Sequence, residues 1–197
     1  MEQKRAIAKY VFIDRDGVIN ADPGARTKHG YVVEWEDFHF LPASREALKI
    51  LADNGYKSVI VTNQQCVGKG HISEGALGEL FLKMIEEING FGGEVSKVYY
   101  CPHLKEENCA CRKPEAGLFL KARQELKIER LDDKFFIGDS KHDVEAGKKA
   151  GLKTILVLSG NSKREDIPKW KIKPDHICEN LLEAARFIVR EDSGDRS

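Results

Sequence analysis

Short apolar runs that end in polar loops alternate along the chain with stretches of helical periodicity. Tyr10-Val11-Phe12-Ile13 is the first such run, continuous in the way a strand buried on both faces should be. Ser44 to Asn54 reads as a helix, with Ala47, Leu48, Leu51 and Ala52 on one face and Asn54-Gly55 as its stop. Ser58 to Val61 is the second strand. A long helix follows a candidate cap at Ser73, with Leu77, Leu80, Phe81, Met84, Ile85 and Ile88 at offsets of three and four. Lys97 to Tyr100 is a third strand, Glu115 to Leu126 a helix, and Phe135 to Ile137 a fourth strand. A short helix over Asp143 to Ala150, a strand over Thr154 to Leu158, a strand around His176 and a helix over Glu179 to Val189 complete the pattern.

Strands alternating with helices predict an α/β fold, a Rossmann-like parallel sheet covered by helices on both faces. No internal repeat or linker divides the chain, so residues 1–190 are expected to form one domain, with a frayed polar tail over 191–197. The length, 197 residues, suffices for a single core. Lys and Arg number 32, as do Asp and Glu. That balance argues against a basic nucleic-acid binder and against a polybasic membrane-surface protein. No window reaches the roughly 18 apolar residues of a membrane span, and the opening apolar run leads into acidic residues without a small-residue cleavage site. A cytoplasmic monomer without nucleic-acid or membrane partners is expected.

In such sheets ligands lie beyond the carboxyl ends of the strands, so the chemistry is to be sought in what each strand runs into. The first ends in Asp14-Arg15-Asp16-Gly17, the second in Thr62-Asn63, the third in a cysteine loop with Arg112-Lys113, and the fourth in Gly138-Asp139. An isolated Asp-x-Asp is more often a solvated turn. At a strand end, with Asp139 as a third carboxylate, Asp14 and Asp16 suit an all-oxygen Mg²⁺ site with one nucleophile and one general acid. Thr62 and Asn63 offer a hydroxyl, an amide and loop N–H groups for a phosphate oxygen, although both are also ordinary turn formers. Lys113 can neutralise phosphoryl charge and Arg112 can fork onto a second anion, or both can be solvated surface cations. Gly138-Asp139-Ser140 with Asp143 can equally be a plain helix cap. Together the four strand ends describe phosphoryl transfer to an enzyme carboxylate.

Five cysteines stand at 66, 101, 109, 111 and 178. Cys101, His103, Cys109 and Cys111 form the Cys₃His set that suits tetrahedral, structural zinc. A redox thiol pair or a strained disulfide between Cys109 and Cys111 are the other readings. Zinc would fix the loop that carries Arg112 and Lys113. Cys178 is expected in the core and Cys66 near the site.

Asp14-Arg15-Asp16-Gly17-Val18-Ile19-Asn20, Val61-Thr62-Asn63-Gln64, Arg112-Lys113-Pro114 and Gly138-Asp139-x-x-x-Asp143 resemble, in order, the four motifs of haloacid dehalogenase-type (HAD) phosphatases. The resemblance covers about residues 8–160. It implies that Asp14 becomes an aspartyl-phosphate and that Asp16 protonates the leaving oxygen and then activates water. It further implies that Thr62 and Lys113 hold the phosphoryl group and that Asp14, Asp139 and the Asp16 carbonyl hold Mg²⁺, with Asp143 behind them. The zinc loop is similar to that of the capless subgroup, which lacks a large cap domain and includes heptose 1,7-bisphosphate 7-phosphatases and histidinol-phosphate phosphatases. His29-Gly30-Tyr31-Val32, Phe38 to Pro42, Val67 to Gly70, Tyr99 to His103 and Gly117 to Ala122 resemble the heptose enzymes more closely. The substrate implied is therefore a small phosphorylated sugar, a heptose 1,7-bisphosphate, with histidinol phosphate as the alternative. Its implied contacts are Lys28, His29, Gly30, Tyr31, Thr62, Asn63, Gln64, Gln65 and Arg112, with Lys69 and Lys113 offering further positive charge. Three departures from the pattern stand out: an insert over Ala21 to Thr27, a five-residue spacer in the zinc loop, and Ser140 where a basic residue often follows the aspartate.

Overall fold

The computed structural model describes residues 8–194. Six strands, β1 (Lys9–Ile13), β2 (Tyr56–Asn63), β3 (Val95–Cys101), β4 (Phe135–Gly138), β5 (Lys153–Val157) and β6 (His176–Cys178), pair in parallel in the order β3-β2-β1-β4-β5-β6. Five helices connect and cover them: α1 (Ser44–Asp53), α2 (Glu74–Gly90), α3 (Gly117–Glu125), α4 (Lys141–Ala150) and α5 (Leu181–Ser193).

Successive strand side chains point to opposite faces, and the core divides accordingly. Val11, Ile13, Ile60, Ile137, Ile155 and Val157 meet the apolar faces of α1, α2 and α5. Phe12, Val59, Val61, Tyr99 and Phe136 pack under Leu118, Phe119 and Ala122 of α3 and Ala146 of α4. Phe119 sets its ring edge-on between Phe12 and Phe136. Both faces are thus dry, which is why the strands read as unbroken apolar runs.

The helix ends differ from the sequence expectation for local reasons. Helix α4 begins at Lys141, not Asp143, because Ser140 caps it and exchanges a reciprocal capping box with Asp143. Helix α3 begins at Gly117, not Glu115: a Cβ on Gly117 would stand 2.3 Å from the Ala110 carbonyl oxygen, so the cysteine loop lies directly against this glycine. Asn180 caps α5, which starts at Leu181 and runs to Ser193; the expected tail is helical that far, and 195–197 lie outside the described residues. Residues 163–173 include a 3₁₀ turn over Arg164–Lys169 whose Ile167 is buried against Val144 and Leu156.

The strand order reverses direction between β1 and β4, the point at which such sheets open a crevice beyond their carboxyl ends. The Asp14 N–H donates to the Ile137 carbonyl at 2.9 Å, tying the two loops at the base of that crevice.

Candidate active site and metal centres

Asp14 follows β1, Asp139 follows β4, and Asp143 stands one turn into α4. One oxygen from each lies within 4.8 Å of the other two, and all three residues are buried. Lys113 is the cation among them, 4% exposed, with Nζ 2.8 Å from Asp14 Oδ1 and 2.6 Å from Asp143 Oδ1; it also donates to the Val61 carbonyl at 3.0 Å. Burial opposes its charge, but Asp14 and Asp143 outweigh that and hold the ammonium above its ordinary pKa. Asp143 is the mirror case: burial opposes its charge, and Lys113 and Ser140 outweigh that, lowering its pKa. Asp14 and Asp139 are less well compensated. Burial, then the neighbouring carboxylates, push Asp14 up despite Lys113, and burial and Asp143 push Asp139 to about 7. Three carboxylates against one ammonium leave the crevice short of positive charge. The donor set is all oxygen, so the residues fit a hard divalent cation such as Mg²⁺.

Asp16 does not join that cluster with its carboxylate. Arg15, itself buried, grips it through Nε and Nη2 at 2.8–3.1 Å, and Asn20 Nδ2 and Gln64 Nε2 each donate to it at 2.9 Å. Burial raises the pKa of Asp16, but the guanidinium and these donors win and lower it overall. As held here it is an ionised acceptor, and it must turn out of this nest to give a proton to a leaving oxygen. Gln64 also donates to Thr62 Oγ1 at 2.9 Å, which leaves the Thr62 hydroxyl hydrogen free to donate into the crevice. Gly17 turns the loop at φ 79°, and a Cβ there would fall 2.4 Å from Asp139 Oδ2. Only glycine lets the nucleophile loop pass this close to the acid on β4.

The cysteine loop closes on itself as the spacing predicts. Cys101 Sγ, Cys109 Sγ and Cys111 Sγ are 3.2–3.5 Å from one another, and His103 Nδ1 is 3.2 Å from Cys111 and 3.5 Å from Cys101. A tetrahedron of roughly 2.3 Å Zn–S bonds has edges of about 3.8 Å, so a slight expansion would admit the ion. The Cys109 and Cys111 sulfurs stand 3.4 Å apart, well beyond the roughly 2.05 Å of a disulfide bond. Asn63 links this loop to β2: its side chain donates to the Lys113 carbonyl at 3.1 Å and accepts from the Lys113 N–H at 3.0 Å. Its amide is thereby occupied in fixing Lys113, although Asn63 also borders the crevice.

Gln65 Nε2 and Lys69 Nζ both donate to the Tyr31 hydroxyl, at 2.7 and 3.0 Å, and His29 stacks on His71 with ring centroids 4.4 Å apart. His29 and Tyr31 thus meet the 65–71 loop, and none of Lys28, His29, Gly30, Tyr31, Gln65 and Lys69 lines either of the two cavities at the strand ends. His71 was absent from the sequence reading, and nothing in its spacing marks it. The insert over 21–27 is a 3₁₀ turn at Gly24–Arg26, not a lid domain. Cys66 is buried and touches Gln64, while Cys178 sits in the core.

Two cavities lie side by side at the carboxyl ends of the strands. A small one of about 130 Å³ is lined by Asp14, Asp16, Thr62, Lys113, Asp139 and Asp143. A larger one of about 480 Å³ lies beside it, lined by Arg112, Lys105, Asn108, Pro114 and Glu115. Asn63, Lys113 and His142 border both, so the two are neighbours.

The HAD-hydrolase-like family model matches residues 110–184. A D-glycero-beta-D-manno-heptose-1,7-bisphosphate 7-phosphatase from Pasteurella multocida is 36% identical over 187 residues, covering 91% of this chain and 96% of the relative. The chain belongs to this family of HAD-like phosphatases. A D-glycero-alpha-D-manno-heptose-1,7-bisphosphate 7-phosphatase from Campylobacter jejuni is 35% identical over 184 residues, covering 93% of this chain and 98% of that one. Among solved structures, the D,D-heptose 1,7-bisphosphate phosphatase of B. bronchiseptica, complexed with magnesium and phosphate, superposes with a TM-score of 0.84 at 29% identity. It covers 93% of this chain and 99% of its own. Family members named for both anomers thus align over nearly the whole chain. No helix among the described residues is long and apolar enough to cross a membrane.

Proposed function

We propose that this chain is a Mg²⁺-dependent phosphomonoesterase that removes the 7-phosphate of a D-glycero-D-manno-heptose 1,7-bisphosphate through an aspartyl-phosphate on Asp14. The observation that carries the reading is the pair of adjacent cavities. One is small and built of carboxylates around Lys113; the other is larger and edged by Arg112 and Lys105. A monophosphate would use only the first, whereas a sugar with a second phosphate gives the cations of the other an anion to hold. The heptose-enzyme names of the aligned relatives support the same choice.

Asp14 attacks phosphorus in line while Lys113 and the Thr62 hydroxyl hold the equatorial oxygens. Asp16, once turned from Arg15 and protonated from solvent, donates that proton to the departing sugar oxygen. The resulting carboxylate then takes a proton from the water that cleaves the acyl phosphate. Asp14, Asp139 and the Asp16 carbonyl would hold Mg²⁺, with Asp143 beside them holding Lys113; the ion supplies the positive charge the crevice lacks. Zinc on Cys101, His103, Cys109 and Cys111 has no open position. It would serve to fix Arg112 and Lys113. The family resemblance assigns the sugar to Lys28, His29, Gly30, Tyr31, Gln64, Gln65 and Lys69, of which Gln64 is buried against Asp16 and Thr62.

Histidinol phosphate would place an ammonium beside Arg112 and Lys105, and the one carboxylate lining that cavity, Glu115, is already paired with Lys149 at 2.6 Å. Parallel turnover of both heptose bisphosphate anomers and histidinol phosphate tests the assignment. A higher kcat/KM for either bisphosphate is expected, and a higher value for histidinol phosphate would reverse it.

A further inference from the structure

The loop after β5 wraps over Asp139, and Asn161 makes its bonds to the Asp139 carboxylate. The backbone N–H of Asn161 donates to Asp139 Oδ2 at 2.7 Å, and its side-chain Nδ2 donates to the same oxygen at 2.9 Å. The other hydrogen of that Nδ2 goes to Asp22 Oδ2 at 2.7 Å. A Cβ on Gly160 would lie 2.1 Å from Asp139 Oδ2, and the Ser162 N–H donates to the Asp139 carbonyl at 3.2 Å. Ser159 Oγ donates to the Gly17 carbonyl at 2.8 Å, binding the same loop to the nucleophile turn.

Both Asn161 bonds fall on one oxygen of Asp139. Oδ2 is thereby occupied from the loop side, and Oδ1 is the oxygen left for a cation in the crevice. The amide nitrogen has two hydrogens and two carboxylates to satisfy, a task that an aspartate or a serine at 161 could not perform. Asp22 lies at the start of the 21–27 insert. The insert is therefore joined to the metal-ligand candidate by a single side chain.

We propose that Asn161 is a positioning residue for the Mg²⁺ ligand Asp139, and that Asp22 holds Asn161 in place, so that the 21–27 insert tunes the metal site. The inference rests on the Mg²⁺ reading of the crevice. Partners that orient a metal ligand typically contribute about 10–100-fold to metal affinity. Asn161→Ala keeps the backbone donor and should weaken binding by about tenfold, at the low end of that range. Asp22→Ala removes one partly exposed hydrogen bond and should weaken it about threefold.

The test is calorimetric titration of Mg²⁺ into the full-length, zinc-loaded, magnesium-stripped protein, for wild type, N161A, D22A and the double variant. Asp22 acts through Asn161, so the double variant should bind no more weakly than N161A. Wild-type binding with N161A within about twofold of it overturns the inference alone, as does a D22A loss that adds in full to that of N161A. A raised KM in N161A with unchanged Mg²⁺ affinity also overturns it, because Asn161 would then touch substrate directly. Absence of Mg²⁺ binding by the wild-type chain removes the metal reading and this inference together. Should N161A fail to fold, D22A alone decides: its side chain lies at the surface, and an unchanged Mg²⁺ affinity refutes the coupling.

Discussion

Replacing Lys113 with methionine keeps most of the side-chain volume and removes the ammonium held inside the carboxylate cluster. In the wild-type protein the buried cluster carries Asp14, Asp139 and Asp143 against Lys113, with ion-pair distances of 2.8 Å and 2.6 Å to two of them. Removing one partner of a buried pair typically costs about 3–5 kcal/mol, because the partner charge stays behind uncompensated. That is a large share of the roughly 5–15 kcal/mol that holds an ordinary domain folded. The loss is also pH-dependent. Without Lys113 the folded-state pKa of Asp143 rises above its unfolded value and that of Asp14, already raised, climbs further, so the added destabilisation is fully present above the folded values and fades as pH falls through them. Urea unfolding of magnesium-free K113M should show a deficit of about 3–5 kcal/mol at neutral pH and a smaller one in mild acid. A deficit under about 1 kcal/mol at neutral pH, or one equally large in acid, would refute the electrostatic reasoning.

Without a cation Asp139 has its carboxyl raised to about 7, well above the unfolded value. The native state then holds a proton the unfolded chain lacks, so stability declines as pH rises toward 7. Mg²⁺ replaces that proton, and the rise in Tm on adding Mg²⁺ should be larger near pH 8 than near pH 5.5 when followed by calorimetry. Removing zinc with a chelator, or Cys109→Ser, should free the 101–113 loop and lower turnover. Metal analysis and proteolysis within that loop would report it, and full activity in the zinc-free protein would argue against a fixing role. Arg112→Ala should raise KM for the bisphosphate by about 10–100-fold, the equivalent of one charged hydrogen bond, with a smaller effect on a monophosphate; steady-state kinetics on the two substrates distinguishes these.

Much of this organisation is legible in the sequence because it follows from local rules. A strand buried on both faces must read as a continuous apolar run, so β1, β2, β4 and β5 announce themselves. The polar residues that follow them then fall at the crevice by topology alone. The Cys₃His set is equally local, since four soft ligands within eleven residues leave few other uses. What the sequence hides is side-chain direction. Nothing in the spacing of Asp14 and Asp16 says that one faces the cluster while the other turns onto Arg15. Asp143 looks like a helix-cap residue, and it is one, but the same carboxylate also reaches Lys113. Asn161 and Asp22 are 139 residues apart, so their junction on Asp139 is a product of sheet order, as is the stacking of His71 on His29. Helix starts moved by two residues where capping, not hydrophobic period, decides the boundary.

The central claim is that Asp14 carries the phosphoryl group between substrate and water. Acid quenching during turnover of heptose 1,7-bisphosphate, followed by mass analysis of the peptide containing Asp14, tests it most directly. The account predicts a phosphorylated Asp14 in the wild-type protein and neither adduct nor turnover in Asp14→Asn. Near-normal turnover by that variant, or a phosphoryl group found on another residue, would contradict it.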